Sequence, residues 1–297
     1  MNPLVSVILP TRNRAEFLQL AIKSVLSQTE VRLELIIVDD ASSDSTQNVI
    51  AHYIKQDERV RCIRNVQPEG GGGARNLGVR NAKCRWIAFI DDDDVWLPEK
   101  MARQIELLSL NPTSVAASCF FQQQFPSGKS KIIQLKDRPS FDDLLCGNIL
   151  GGASMCICVR ETLVQIGGFD TALLSGQDWD LWIRLRERGD IVVCPEVLVI
   201  YQAHENQRIS NNMNAQNQGA RRFHFKYRAR MTPSIRKLRI AYATFIMSRQ
   251  TVRSKLARLR YLLIATKYAG SAKKSFSYVA SSFPRLLADW YFSILKI

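Results

Sequence analysis

The stretch Trp86–Met101 reads WIAFIDDDDVWLPEKM. Trp86–Ile90 reads as a strand, the four aspartates Asp91–Asp94 close it, and Pro98 is expected to open a helix to about Leu110, because proline suits the first helical position. Working towards the N-terminus, VSVILP (Val5–Pro10), LELIIVDD (Leu33–Asp40) and VRCIRN (Val60–Asn65) are three more apolar strands. Helical patterns separate them: Phe17–Gln28, about Ser45–Gln56 with Ser42, Ser43 and Asp44 as capping candidates, and about Ala74–Ala82 after the tetraglycine Gly70–Gly73. Strands alternating with helices define an α/β chain with a mainly parallel sheet. Downstream the pattern predicts a strand over Val115–Phe121, a short helix near Phe141–Cys146 and a strand over Ser154–Val159. A turn at Gly167-Gly168, a helix from about Trp179 to Arg188 and strands around Ile191 and Val199 follow. Beyond Asn211 the chain reads as helical, with Asn211–Gly219 as a polar hinge candidate.

Charge divides the chain at about residue 210. Residues 1–210 carry 23 Lys and Arg against 26 Asp and Glu, whereas residues 211–297 carry 18 basic residues and one acid, Asp289. A catalytic or binding domain over 1–210 and a basic, mainly helical extension over 211–297 is the simplest division. The extension pairs basic with apolar residues in TVRSKLARLRYLLIATKY (Thr251–Tyr268) and places Trp290, Tyr291 and Phe292 in its last segment, which suits helices lying on an anionic membrane surface. Packing of those helices on the rest of the chain or on a second subunit is the competing account. A nucleic-acid-binding protein that uses the basic extension is the reading from another functional class.

Composition narrows the choice further. With 46% hydrophobic and 23% charged residues over 297 positions, the chain can build a core and is neither disordered nor fibrous. No run reaches the roughly 18 apolar residues of a spanning helix. The opening MNPLVSVILPTRNR has no basic leader before its apolar run, so a cytoplasmic location is expected, peripheral on the inner face of the cytoplasmic membrane. The seven cysteines sit mostly in apolar runs, as reduced core residues do, and Cys156 and Cys158 are too close for ordinary zinc spacing.

Polar residues gather where strands end: Thr11, Arg12 and Asn13; Asp39 and Asp40; Asp91–Asp94. In an open parallel sheet the carboxyl ends of strands share one edge, where ligands bind. Four aspartates in a partly dry cleft call for a cation, and hard carboxylate oxygens suit Mg2+ or Mn2+. The alternative is an acidic turn ahead of the Pro98 helix. The tetraglycine lacks both the dinucleotide fingerprint and the P-loop ending, which argues against an oxidoreductase and an NTPase. Further on, QDWDLW (Gln177–Trp182) places Asp178 and Asp180 two apart at a helix start, so one can face a cleft while the other caps. His204 ends an apolar strand as either a structural or a ligating imidazole.

Taken in order, VSVILPTRNR, LIIVDDASSDST, GGGGARNLG, FIDDDDVWLPEKM, GGFD, QDWDLWIRL and YQAHENQRIS resemble the family 2 glycosyltransferases of the GT-A fold, over about residues 4–210. The resemblance implies an inverting transfer of one sugar from a nucleotide diphosphate to an acceptor hydroxyl. It also implies a Rossmann-like nucleotide-diphospho-sugar transferase domain, followed here by a C-terminal helical extension. By motif, Asp39 resembles the residue that reads a uracil edge, so a UDP-sugar is the expected donor, and Thr11 and Arg75 resemble other residues of the nucleotide pocket. Asp91 falls near the ribose, Asp93 on a Mn2+ or Mg2+ ion, His204 at a further metal or diphosphate contact, and Asp178 at the general base. Gln177 stands where the family often has Glu. No Q-x-x-R-W motif of processive synthases is present. A sugar nucleotidylyltransferase shares the layout but lacks the glycine-rich, arginine-bearing start after the first strand. The expected partners are therefore a UDP-sugar, a glycan or lipid-linked glycan acceptor and an anionic membrane, with no nucleic acid.

Overall fold

A computed structural model describes residues 4–203 and 213–240. The chain forms two compact units. The first comprises the chain to Pro139, Leu150–Ala172 and the segment from Gln177, and it contains the sheet. The second gathers Ser140–Ile149, Leu173–Gly176 and the described residues from 213 onward.

In the first unit β1 (Val5–Thr11), β2 (Leu33–Asp39), β3 (Val60–Arg64) and β4 (Trp86–Phe89) are mutually parallel, in the spatial order β3-β2-β1-β4. The helices α1 (Ala15–Leu26), α2 (Thr46–Gln56) and α3 (Gly70–Asn81) make the crossovers. The apolar runs Val5–Leu9 and Leu35–Val38 are almost wholly buried, which is why they read as continuous rather than alternating strands. Beyond β4 the sheet becomes mixed. β5 (Val95–Trp96), α4 (Lys100–Leu110), β6 (Ser114–Gln124), β7 (Ser130–Ile133), β8 (Ile157–Val159), α6 (Arg160–Gln165), α7 (Gln177–Arg186) and β9 (Asp190–Gln202) follow, with α5 (Phe141–Cys146) belonging to the second unit. β8 lies antiparallel between β4 and β6, while β9 runs parallel to β6. The sheet is mainly parallel, as expected, with antiparallel pairings at β8, between β5 and β9, and between β7 and β6.

Several segments depart from the expectations. The tetraglycine is the first turn of α3 rather than a lead-in to a helix at Ala74. Close packing explains it: a Cβ on Gly72 would lie 2.9 Å from the Gln177 amide, and one on Gly78 would lie 2.5 Å from Ile8. Gly70 has φ 74°, a left-handed conformation that only glycine adopts cheaply. The expected strand over Ser154–Val159 begins instead with a 3-10 turn, Ala153–Met155. The two expected strands near Ile191 and Val199 are one, β9, and its pairing with β6 jumps from Cys194 to Val197 around Pro195, which has no amide to give the ladder.

In the second unit α5 carries a capping box in which the Ser140 hydroxyl and the Asp143 carboxylate exchange bonds with each other's backbone amides. The hinge expected at Asn211–Gly219 is, from Met213 on, the start of α8 (Met213–Tyr227). Residues 233–240 form a further helix, and its Arg239 lies 4.9 Å from the Phe223 ring. The segments Thr251–Tyr268 and Trp290–Phe292, together with His204, lie outside the described residues.

Candidate active site at the carboxyl edge of the sheet

Register alone brings the first site residues together. Thr11 is level with Asp39, and Asp39 with Arg64, at the carboxyl ends of β1, β2 and β3. Asp39 is buried; its Oδ1 accepts the Ser42 amide at 2.8 Å, and Arg64 Nε stands 3.6 Å from its Oδ2. The Thr11 hydroxyl is committed within the protein, donating to Asp92 Oδ2 at 2.7 Å. Asp40 turns the other way and caps α3, its two oxygens accepting the amides of Glu69 at 2.8 Å and Gly70 at 2.9 Å.

The four aspartates after β4 have four different environments. Asp91 faces α3 and pairs with Arg75, while its own amide donates to Ser154 Oγ at 3.0 Å. Asp92 is buried, and desolvation raises its pKa to about 7, against the lowering pull of Arg14 and Thr11. Asp93 lies 3.4 Å from Arg14 Nη1 through Oδ2. Asp94 is buried at the turn, where its amide bonds the Asp91 carbonyl at 3.1 Å, and it receives the Gln202 amide at 3.4 Å.

Asp178 enters from the first turn of α7. Desolvation raises its pKa to about 6; Arg75 and a hydrogen bond from the Ala153 amide pull it down, and Asp91 adds to the rise. Arg75 is thus bonded to one carboxylate and within the field of the other. Burial works against its charge, but Asp91 and Asp178 more than offset that and raise its pKa. Asp180, two residues on, is fully buried and pairs with Arg184 Nε at 2.7 Å, a structural ion pair within the helix. The arrangement brings Thr11, Arg75, Asp91 and Asp178 into one set of linked groups with the Asp92–Asp93 turn, and places Asp39 beside Thr11. Arg14 and Ser154 are not legible from sequence as members: nothing in their spacing points to the Asp93 carboxylate 79 residues from Arg14 or to the Asp91 amide 63 residues from Ser154.

The donor chemistry at this turn suits a divalent cation of limited protein ligation. Among the described residues no three His, Cys, Asp or Glu side chains form a metal-holding group. What is present is a set of hard oxygens, Asp91 and Asp93 flanking Asp92, which fits an ion that takes one or two carboxylates and completes its shell with water and phosphate. Asp93 would hold it.

The α/β sheet carries, at its polar carboxyl edge, an aspartate turn and a buried carboxylate of raised pKa. The Glycosyl transferase family 2 profile matches residues 6–163, and the chain belongs to that family. It is 30% identical over 230 residues, 76% of this chain and 88% of the relative, to the putative teichuronic acid biosynthesis glycosyltransferase TuaG of Bacillus subtilis. It is 28% identical, over 70% of this chain and 80% of the relative, to the UDP-Glc:alpha-D-GlcNAc-diphosphoundecaprenol beta-1,3-glucosyltransferase WfgD of Escherichia coli. Among solved structures, S. aureus TarS aligns with TM-score 0.64 and 15% identity over 96% of this chain, which spans about half (50%) of that chain. The mannosyltransferase PcManGT of Pyrobaculum calidifontis, in complex with GDP-Man and Mn2+, aligns with TM-score 0.61 and 19% identity over 99% of this chain and 81% of that one. The protein is a glycosyltransferase of mixed α/β fold. No described helix is long and apolar enough to cross a membrane.

Proposed function

We propose that this glycosyltransferase is inverting and metal-dependent, and moves one sugar per acceptor from a UDP-sugar to a hydroxyl of a lipid-linked or cell-surface glycan precursor. The observation that carries the reading is the two-sided use of Arg75, bonded to Asp91 and charge-coupled to Asp178. An inverting displacement needs a base on the acceptor side and charge compensation on the leaving diphosphate, and Arg75 joins residues suited to each. The names of two relatives add support: one acts in teichuronic acid biosynthesis, the other transfers glucose from UDP-Glc to a diphosphoundecaprenol acceptor.

In this mechanism Asp39 reads the base of the donor and Asp91 orients the ribose. The Asp178 carboxylate accepts the acceptor hydroxyl proton as the new glycosidic bond forms. Its raised pKa makes it a stronger base than an ordinary carboxylate while leaving it ionised above about pH 6. The Ala153 amide aims that carboxylate, and Arg75 offsets the repulsion between the Asp91 and Asp178 charges. When bound at Asp93, a divalent ion supplies charge neutralisation at the departing diphosphate. His204 is proposed as a further contact there.

Catalysis is assigned to residues 1–210, and membrane attachment, on the inner face of the cytoplasmic membrane, to 211–297. The test is a donor-hydrolysis screen over UDP- and GDP-sugars with Mn2+ or a chelator. Mn2+-dependent turnover of a UDP-sugar supports the reading; GDP-sugar preference would overturn the donor, and turnover undiminished by chelator would overturn the metal.

A further inference from the structure

The segment Leu150–Met155 has all six of its carbonyl oxygens occupied. The carbonyl of Leu150 accepts from Ser118 Oγ at 3.0 Å, that of Gly151 from Trp182 Nε1 at 3.2 Å, that of Ser154 from Trp96 Nε1 at 2.9 Å and that of Met155 from Gln104 Nε2 at 2.7 Å. The carbonyls of Gly152 and Ala153 accept the amides of Met155 at 3.3 Å and Cys156 at 3.0 Å. The four side-chain donors come from four elements, β6, α7, β5 and α4, so no single element can shift and carry the segment with it. Leu150, Ala153 and Ser154 are fully buried, and Gly151 has φ 78°, where a Cβ would also press on Phe121 at 3.2 Å.

Two polar groups of this strap reach the acidic site. The Ser154 hydroxyl accepts the Asp91 amide at 3.0 Å, and the Asp178 carboxylate lies against the strap, its Oδ2 3.9 Å from where a Cβ on Gly152 would stand and its pKa pulled down by the Ala153 amide. Buried backbone with every acceptor filled resists displacement, because each lost bond leaves a dry polar atom unpaired. Adjacent residues of one rigid strap therefore hold the donor-side aspartate and the acceptor-side base.

We infer that Ser154 is a positioning residue that fixes Asp91 relative to Asp178, so that the reacting sugar meets a base already in register. The inference rests on the proposed roles of Asp91 and Asp178. Without the Ser154 hydroxyl the turn after β4 loses its tie to the strap, and the donor can bind without its anomeric carbon being aligned to the acceptor. Water, which needs no alignment, then competes better.

The test measures sugar transfer and donor hydrolysis by full-length wild type, Ser154→Ala and Ser154→Thr, with UDP affinity and thermal stability alongside. The expected result for Ser154→Ala is a fall in transfer kcat of about tenfold, the order of one lost aligning hydrogen bond. The hydrolysis-to-transfer ratio rises severalfold, UDP affinity changes by less than about twofold, and Ser154→Thr recovers much of the ratio. A Ser154→Ala enzyme that is less stable yet keeps the wild-type ratio overturns the inference. If Ser154→Ala does not fold, Trp96→Phe, which removes the donor to the Ser154 carbonyl, must shift the same ratio, and failure to do so also overturns it. A substrate-free readout separates this outcome from failure of the functional reading. Titration of 13C-labelled Asp178, facing Arg75 and Asp91, should show its midpoint displaced in Ser154→Ala, whereas an unchanged midpoint counts against the strap whether or not any donor is turned over.

Discussion

Arg14 Nη1 stands 3.4 Å from Asp93 Oδ2, with Arg14 Nε 3.7 Å from Asp92, so the carboxylate assigned to a divalent ion already faces a cation of the protein's own. Arg14 immediately precedes α1 and its amide is anchored to Thr46 Oγ1 at 3.1 Å, while its guanidinium reaches the turn after β4. The side chain satisfies the acidic turn electrostatically before any ligand arrives.

Asp93→Asn should therefore abolish the thermal stabilisation expected from UDP plus Mn2+ while leaving the unliganded melting temperature nearly unchanged, because Arg14 keeps Asp92 as a second partner and the amide is nearly isosteric with the carboxylate. Stabilisation by ligand follows its concentration over its dissociation constant, about 2.7 kcal/mol at a hundredfold excess, so a melting titration reads the loss directly. Retention of the full Mn2+-dependent rise in melting temperature in the variant would remove Asp93 as the ligand.

Asp178→Asn should keep UDP affinity and lower transfer by about 10²- to 10⁴-fold, the range for one acid-base group. In wild type, kcat/KM should rise with pH and level off above an apparent pKa of about 6, since the base works only when ionised and burial has raised its pKa to about 6. A rate already flat from pH 5 upward would show that a different group, or none, takes the proton.

The same burial has a stability consequence of definite sign. Asp178 titrates at about 6 in the fold against an ordinary 3.8, so the fold binds this proton more tightly than the unfolded chain. The favourable contribution of the protonated form is fully present below about pH 4 and is lost as pH rises through 6, at about 1.4 kcal/mol for each pH unit between the folded and unfolded midpoints. Asp178→Asn should melt at or above the wild-type temperature at pH 7.5, and the difference should shrink by pH 5. A variant less stable than wild type at pH 7.5 would mean that loss of the Arg75 partner outweighs relief of the buried charge.

How much of this is legible in the sequence depends on whether a signal is local. β1, β2, β3 and β4 are short apolar runs ended by polar residues, and both features lie within a few positions in sequence. The aspartate turn and the Gln177–Trp182 helix start are readable for the same reason. The start of α3 is not, because glycine propensity argues against helix, whereas the helix is fixed by a cap from Asp40, 30 residues away, and by close contact with Gln177 and Ile8. β7, with only four residues and an exposed face, and α6, six residues after a strand, carry too little periodicity to be read. Thr11, Asp91 and Asp178 stand out through family motifs. That Thr11 serves Asp92 and that Ser154 ties Asp91 to the strap depends on tertiary contacts over 81 and 63 residues.

Breaking the α3 cap offers a control for effects outside the chemistry. Asp40 is buried and accepts from Asn65 Nδ2 at 2.7 Å as well as from the Glu69 and Gly70 amides. Asp40→Ala should cost about 2 kcal/mol or more in urea unfolding, combining a lost cap with unpaired buried donors. Residual folded enzyme should retain the wild-type hydrolysis-to-transfer ratio, in contrast to Ser154→Ala. An unaltered unfolding midpoint would show that water replaces the carboxylate at no cost.

The basic extension yields a prediction on described residues. Residues 213–240 contain eight Lys and Arg and no Asp or Glu. On α8 and the residues just after it, Arg221, Arg222, Lys226 and Arg228 are exposed around Phe225, itself 64% exposed, and the Arg228 guanidinium lies 5.2 Å from its ring centre. An exposed aromatic among cations suits the boundary of an anionic leaflet, where each basic residue near the surface contributes about 1 kcal/mol and the ring enters the interface. Full-length protein should float with anionic vesicles at low salt and much less at high salt or with neutral vesicles. Replacing Arg221 and Arg222 with Gln should weaken the anionic preference by about tenfold or more, since two such contributions are removed. Phe225→Ser should reduce the fraction that survives high salt. Flotation that is the same for neutral and anionic vesicles, or unchanged in the Arg221→Gln, Arg222→Gln double variant, would show that this face does not carry the attachment.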